Sequence, residues 1–452
     1  MSDFKVGFST VNVNPPLGIG IAGYFIPRYA KGFLDDLDLR TLALSLGDKQ
    51  IVMISIPNCN NFFADKCAEA IEKATGLSRD NLFIAATHTH TGPRTKPSAE
   101  TTEEDLVLIN KYLDFLIERM IDATKLALAD LRPAKMGYIY GWAPERVAYI
   151  RRYKMKDGST MTCPPINDPN IDHPIGTLDQ RVNVLRFDRE GAESIVLVNY
   201  GLHADTINGN LLSSDWPHFM YETLEKALDG VKCIFFNGAE GDVGSTNVHP
   251  EGGDMNDTEI SFDNEMKSYG MARFVGRALA GTVLQVYDKV CYVDVDKVNI
   301  LKKDVAVDAN KATKEELVLA HEYKEYHESG HDEKIPYTAM ELTTVVAEAL
   351  RMCRLENAPD QFMLPLTAVQ IGEVALLGVP GEPFTDIGVK IKEAEGWKMI
   401  MPCCLTNGDE GYFPVQSAFD EGGYEARTTQ YKAGVAEKII DGGKALLDEL
   451  RK

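Results

Sequence analysis

Short apolar runs recur along this chain, each closing on a turn of small or polar residues, and they alternate with helical patterns. "TLALSL" (41–46), the turn "GDKQ" and "IVMISI" (51–56) predict a hairpin. "NNFFADKCAEAIEKATG" follows, with Phe63, Cys67, Ile71 and Ala74 three to four apart and Gly76 where a helix C-cap falls. "NLFIAAT" then predicts a short strand, with His88 and His90 at its exit. A long amphipathic helix is expected over 103–131, through Leu106, Ile109, Leu113, Leu116, Met120 and Leu128. Further strands fall at 135–141, 181–187, 194–200 and 232–237, and further helices at 216–228, 264–288, 313–328 and 337–355. "VCYVDVDKVNI" alternates like an antiparallel strand. The tail adds the strands "LPLTAVQI", "VALLGV" and "KMIMPCCL", a helix near 385–395 and a last helix over 428–449. Such interleaving implies an α/β fold: one large domain over 1–452, with a mixed β-sheet flanked by helices. No repeat, low-complexity tract or linker is legible, and "HPEGGDMNDTEISFDNE" (249–265) reads as an acidic surface loop.

Charge narrows the partners. The chain has 452 residues with 68 acidic and 47 basic side chains, a net charge of −21. Nucleic acid and anionic membrane both need a basic footprint, so neither is the expected partner. Eight cysteines are scattered without a Cys-x-x-Cys pair, and Cys403 adjoins Cys404. They read as reduced thiols. No basic start leads into an apolar core, and no apolar run reaches the length of a membrane helix. The expectation is a soluble, cytoplasmic protein without stable membrane insertion, acting on a small molecule and compatible with a homo-oligomer.

The stretch "IAATHTHTGPR" (84–94) carries the strongest chemical signal. His88 and His90, two apart in extended chain, would share a face. Imidazole is a common zinc donor at neutral pH, and a strand end opening into a loop gives access. A metal needs further donors, and the chain has nine histidines. His203 ends "SIVLVNYGLH", again a strand exit. His321, His327 and His331 lie in a charged helical region and read as solvated. His173 sits in a loop, His218 at a helix start, and His249 beyond the Gly-rich "NGAEGDVGSTN". That loop lacks the Gly-Lys-Ser/Thr of a phosphate cradle, but its small residues imply close backbone approach. "GVPGEPFTDIG" places Glu382 after another apolar strand, as a helix-start acid or a carboxylate ligand. "NGDEGYFPV" adds Tyr412.

Taken in order, "VGFSTVNVNPPLGIGIAGY", "THTHTGP", His203, "GDVGSTN", "PGEPFTD" and "GYFPVQSAFDEGGYEA" resemble the catalytic domain of the neutral, non-lysosomal ceramidases. The resemblance covers roughly residues 5–435. It implies a neutral-ceramidase-like fold and a zinc amidase site, without that family's C-terminal β-sandwich. Carried over, His88, His203 and Glu382 would be zinc ligands, and Tyr412 the fourth, with Tyr424 nearby as the alternative. His90 would contact the reacting carbonyl. Arg151 or Arg152, in "VAYIRRY", would match an arginine that helps hold the oxyanion. The chain departs from the family at Gly244, where a Ser is expected, with Ser245 one place later. Arg94 also stands where small residues are usual.

These residues imply a Zn2+-dependent hydrolase that cleaves an amide with an activated water. The cationic Arg94, Arg151 and Arg152, with Gly244 and Ser245 beside the site, point to a small soluble substrate bearing an anionic or hydroxylated group. Three alternatives stand beside it: a ceramidase acting on N-acylsphingosine, a non-catalytic relative that binds metal or ligand, and a metal-dependent barrel amidohydrolase.

Overall fold

The structure is a computed structural model that describes residues 3–24, 26–97, 101–251 and 267–452. Strand pairing shows one plan used three times. The first unit has strands β1 (Lys5–Asn12), β2 (Asp38–Leu46) and β3 (Lys49–Ile56), helix α1 (Ala64–Thr75), strand β4 (Leu82–Ala86) and helix α2 (Glu103–Ala129). The second has β5 (Arg132–Trp142), β6 (Arg181–Arg189), β7 (Ile195–Tyr200), α3 (Trp216–Ala227), β8 (Lys232–Asn237) and α4 (Tyr269–Val286). After a short β9 (Cys291–Val293), the third begins with β10 (Val298–Asp308) and carries a hairpin of α5 (Lys314–Glu328) and α6 (Ala339–Leu355). It continues through β11 (Gln361–Ile371), β12 (Val374–Gly378), α7 (Thr385–Ile391) and β13 (Met399–Cys403). Two short helices, α8 (Gln416–Glu421) and α9 (Tyr424–Thr428), precede the final α10 (Val435–Arg451).

In every unit the first three strands pair antiparallel, and a helix then crosses over to a fourth strand parallel to the third. A parallel neighbour requires such a crossover, because a tight turn cannot bring the chain back in the same direction. Units one and two fuse into a nine-stranded mixed sheet where Lys5 and Val6 meet Pro133 and Arg132. The third unit forms its own four-stranded sheet. An eight-fold parallel barrel is excluded by these antiparallel registers. The sequence shows no repeat because each unit keeps only the apolar pattern of its elements.

Packing follows the same plan. Each unit buries the outer face of its strands under its own helices: Ile54 and Ile84 under Ile71 and Leu116, Val184 and Val198 under Met220 and Leu279, Leu377 under Ile391 and Leu447. The inner faces of all three units meet in one core, where Phe83, Phe236, Leu376 and Met401 belong to a single buried cluster. Strands buried on both faces are apolar throughout, which is why "IVMISI" and "CIFFN" read as continuous runs rather than alternations.

Most element expectations hold, with local exceptions. The expected strand 290–300 is two strands, β9 and the start of β10, both antiparallel to their partners. The last helix begins at Val435 rather than 428, because α9 ends before Thr429 and Tyr431 bridges to Ala309. Residues 252–265 of the acidic segment and 264–266 of the expected fourth helix lie outside the described residues.

Candidate metal centre

All three parallel pairs end at the same place, the carboxyl ends where α/β sheets bind ligands. His88 and His90 follow β4, His203 follows β7, Glu240 follows β8, and Glu382 follows β12. The first unit closes against the third through an Ala85–Thr406 bridge. The Gly-rich loop packs on the Glu382 backbone: a Cβ at Gly241 would lie 2.5 Å from the Glu382 carbonyl oxygen. That is the close approach the loop's composition implied.

His88 and His90 do come together, but not by sharing a strand face. The strand ends at Ala86, and His88 adopts φ 68°, in the left-handed region that non-glycine residues rarely occupy. The turn brings the two rings to 4.7 Å between centroids, nearly perpendicular, while His88 and His203 stand at 4.6 Å. Gly23 lies against the other side of His90, where any Cβ would meet the ring at 2.7 Å.

Protons can be placed on these rings from their neighbours. His88 Nδ1 donates to the Cys59 carbonyl at 2.7 Å, and His203 Nδ1 to the Glu240 carbonyl at 2.9 Å. Each Nε2 is left to face inward, that of His88 also 3.1 Å from His90 Nε2. Both face Glu382 Oε2, at 3.4 and 3.3 Å, and that buried oxygen has no hydrogen-bond donor. Burial would lower both imidazoles and raise the carboxyl, but the Glu382 charge raises His88 and, with Glu240, His203, and the resulting imidazolium charges hold the Glu382 carboxyl well below the ordinary range. A divalent cation can take the place of that positive charge: with both Nδ1 atoms held by carbonyls, two Nε2 donors and a carboxylate converge, and this donor set fits a cation of the zinc type. His88, His203, Glu240 and Glu382 all offer ligand atoms within 4.8 Å of one another.

The remaining candidates divide into those at this centre and those away from it. Tyr412 pairs with Glu382 across two short parallel strands, and its ring lies 5.8 Å from that of Tyr424. Burial and the Glu382 charge raise both phenols, so each keeps its proton. Arg151 Nη1 reaches His203 Nε2 at 3.0 Å, while its Nε donates to Glu425 at 2.8 Å and its Nη2 to the Gly241 carbonyl at 2.7 Å. Arg152 turns away, donating to Glu421 and to the Gly422 carbonyl. Arg94 lines another cleft with Gly20, Arg28, Tyr29 and Asp105, and none of the converging histidines borders it. Arg28, not Arg94, donates to the His90 carbonyl, at 2.6 Å. Gly244 pairs with Tyr149 beside Arg151, and Ser245 is buried next to it. The anion-recognition argument therefore loses its basis in Arg151 and Arg152, which are paired with the protein's own Glu425 and Glu421.

Several residues at the centre carried no sequence signal. Asp205 Oδ1 faces the unpartnered His90 Nδ1 at 3.7 Å. Lys267 donates to Asp205 at 2.7 Å, and the Tyr24 hydroxyl contacts both. Burial, with the nearby His88, His203 and Lys267 charges, keeps the His90 imidazole well below its ordinary value, so it is neutral. Glu240 sits behind His203. Only their order hinted at them: Asp205 is two residues after His203, and Glu240 lies in the Gly-rich loop.

No protein-family model and no curated protein matches this sequence. Among solved structures, the fold is that of the neutral ceramidases. A neutral ceramidase from Pseudomonas aeruginosa superposes with a TM-score of 0.72 at 16% identity, over 99% of this chain and 75% of its own. A second structure, described as ceramidase complexed with C2, gives 0.70 at 14% identity, over 99% and 76%. This chain therefore has a neutral-ceramidase-like fold, with its converging donors where the three units meet.

Proposed function

We propose that this protein is a zinc-dependent hydrolase of amide bonds, acting on a small soluble N-acyl compound. The observation that carries the reading is Glu382 Oε2, buried without a hydrogen bond between the Nε2 atoms of two imidazoles. His88, His203 and Glu382 would hold the ion, with Tyr412 or Tyr424 as a fourth donor from the same side. When bound, zinc supplies a Lewis acid for the amide carbonyl and brings the pKa of a bound water towards neutrality.

The chain's own groups supply the rest. Asp205 faces His90 Nδ1, and the tautomer protonated there presents to the centre, 3.1 Å from His88 Nε2, the lone pair of its own Nε2. That nitrogen can take a proton from the attacking water and return it to the leaving amine. Arg151, held by Glu425 and the Gly241 carbonyl, places a guanidinium N–H where charge develops on the carbonyl oxygen. The tyrosine hydroxyls, protonated and buried, can donate to the same oxygen. Ser245 has no part in this chemistry.

A soluble substrate fits the net charge of −21, which opposes approach to an anionic lipid surface. A cytosolic setting fits the eight cysteines, all of which stand as free thiols. Among the described residues no helix is long and apolar enough to cross a membrane. A second reading, hydrolysis of N-acylsphingosine, is favoured by exposed apolar side chains close in sequence to residues of the centre: Ile26, two residues after Tyr24, at 76%, and Phe62, three after Cys59, at 43%. A side-by-side assay of long-chain ceramide in detergent and a panel of short soluble N-acyl compounds decides between them. Turnover confined to the soluble panel is the expected result, and turnover confined to ceramide would overturn the substrate assignment.

A further inference from the structure

Glu240 is an expensive residue to bury. It is 0% exposed, and among the described residues no lysine or arginine pairs with it. Its ionic neighbour is His203, whose Nδ1 contacts Glu240 Oε2 closely, and the Cys404 thiol is also in reach. A carboxylate removed from water needs a positive charge nearby, or it destabilises the fold. None of its immediate neighbours carries a fixed positive charge.

The missing charge lies through the ring. An imidazole presents its two nitrogens on different edges, and His203 Nε2 faces Glu382 Oε2 at 3.3 Å while Nδ1 faces Glu240. Glu240 therefore sits behind the ring, at the edge away from Glu382 Oε2. Both rings donate Nδ1 to a backbone carbonyl, His203 to that of Glu240 and His88 to that of Cys59, but behind His88 the added group is only the neutral Cys59 thiol, 3.9 Å away. The two imidazoles facing Glu382 are thus backed unequally, one by neutral groups and one by an added carboxylate.

We propose that Glu240 is a positioning residue that fixes His203 with its Nε2 lone pair forward and strengthens that nitrogen as a metal donor. It is not itself a ligand. The assignment rests on the metal reading above. A carboxylate behind a ligating imidazole polarises the ring, and losing such a partner typically weakens metal affinity ~10–100-fold.

The test is the affinity of the metal-free chain for Zn2+, measured by competition with a chromophoric chelator, for wild type, Glu240→Gln and Glu382→Gln. Glu240→Gln keeps the side chain's shape and removes its charge. Its Zn2+ dissociation constant should rise about 10–100-fold, with the visible bands of the Co2+-substituted protein unmoved, because the ligand set is intact. Glu382→Gln should lose more affinity and shift those bands. If Glu240→Gln does not fold, Glu240→Asp keeps the charge but draws it back by one methylene, and should weaken binding in the same direction. A dissociation constant within about twofold of wild type would overturn the assignment, as would Co2+ bands that shift as they do in Glu382→Gln. Wild type that takes up no Zn2+ would overturn the proposed function and this assignment with it. Tight wild-type binding with an unaffected Glu240→Gln would overturn this assignment alone.

Discussion

The two sides of the histidine cluster are built in opposite ways. On one side, His88, His203 and Glu382 are fixed from behind and left open in front: the Nδ1 atoms are tied to carbonyls, while Glu382 Oε2 faces both Nε2 atoms without a hydrogen bond. On the other, His90 borders a closed ionic group in which Lys267, Asp205 and Tyr24 satisfy one another. The proposed cation completes the first arrangement. The second is complete without one, and its charges come from the chain itself. A buried charge is tolerable in either form, but the two forms fail differently when a member is removed.

The largest effect should come from breaking the open side. His88→Ala or His203→Ala should abolish metal binding and lower turnover more than about a thousandfold, roughly 4 kcal/mol of barrier, as read by steady-state kinetics. These variants should fold, because the open side is not held together by its own charges. The closed side should show the reverse. Lys267→Met leaves Asp205 buried and unpaired, and should cost about 3–5 kcal/mol of stability in urea unfolding. Adding Asp205→Asn should restore part of that loss, since both charges are then gone.

His90 stands on the border and sharpens the comparison. His90→Ala should keep its metal but lose about a hundred- to ten-thousandfold in turnover, the usual range for a removed acid–base group. Loss of metal in this variant would place His90 on the open side instead. The smallest effect is expected at Ser245. Ser245→Ala should change turnover by less than about tenfold, or 1.4 kcal/mol. A much larger loss would make that hydroxyl part of the chemistry.

The open side was legible in the sequence and the closed side was not, for a physical reason. His88, His203 and Glu382 each follow an apolar run that must be a buried strand, so hydrophobic patterning places them at strand exits. The fold's parallel pairs then bring those exits together. Asp205, Tyr24 and Lys267 lie in loops without periodicity. Lys267 meets Asp205 across 62 residues and Tyr24 across 243, a proximity set by tertiary packing alone. The choice between Arg151 and Arg152 was hidden for a related reason. Neighbours in an extended segment point to opposite sides, and only the fold shows that Arg151 faces His203 while Arg152 faces Glu421. The threefold plan was invisible because strands of one type need only be apolar, not alike.

The central claim is that the open side holds one zinc ion per chain. Elemental analysis of the purified protein, with His88→Ala, Glu382→Gln and His90→Ala alongside, tests it most directly. The account predicts about one equivalent of zinc in wild type and His90→Ala, and little in the other two, because only ligand loss opens a site of this kind. Zinc missing from wild type, or retained in full by both His88→Ala and Glu382→Gln, would contradict it.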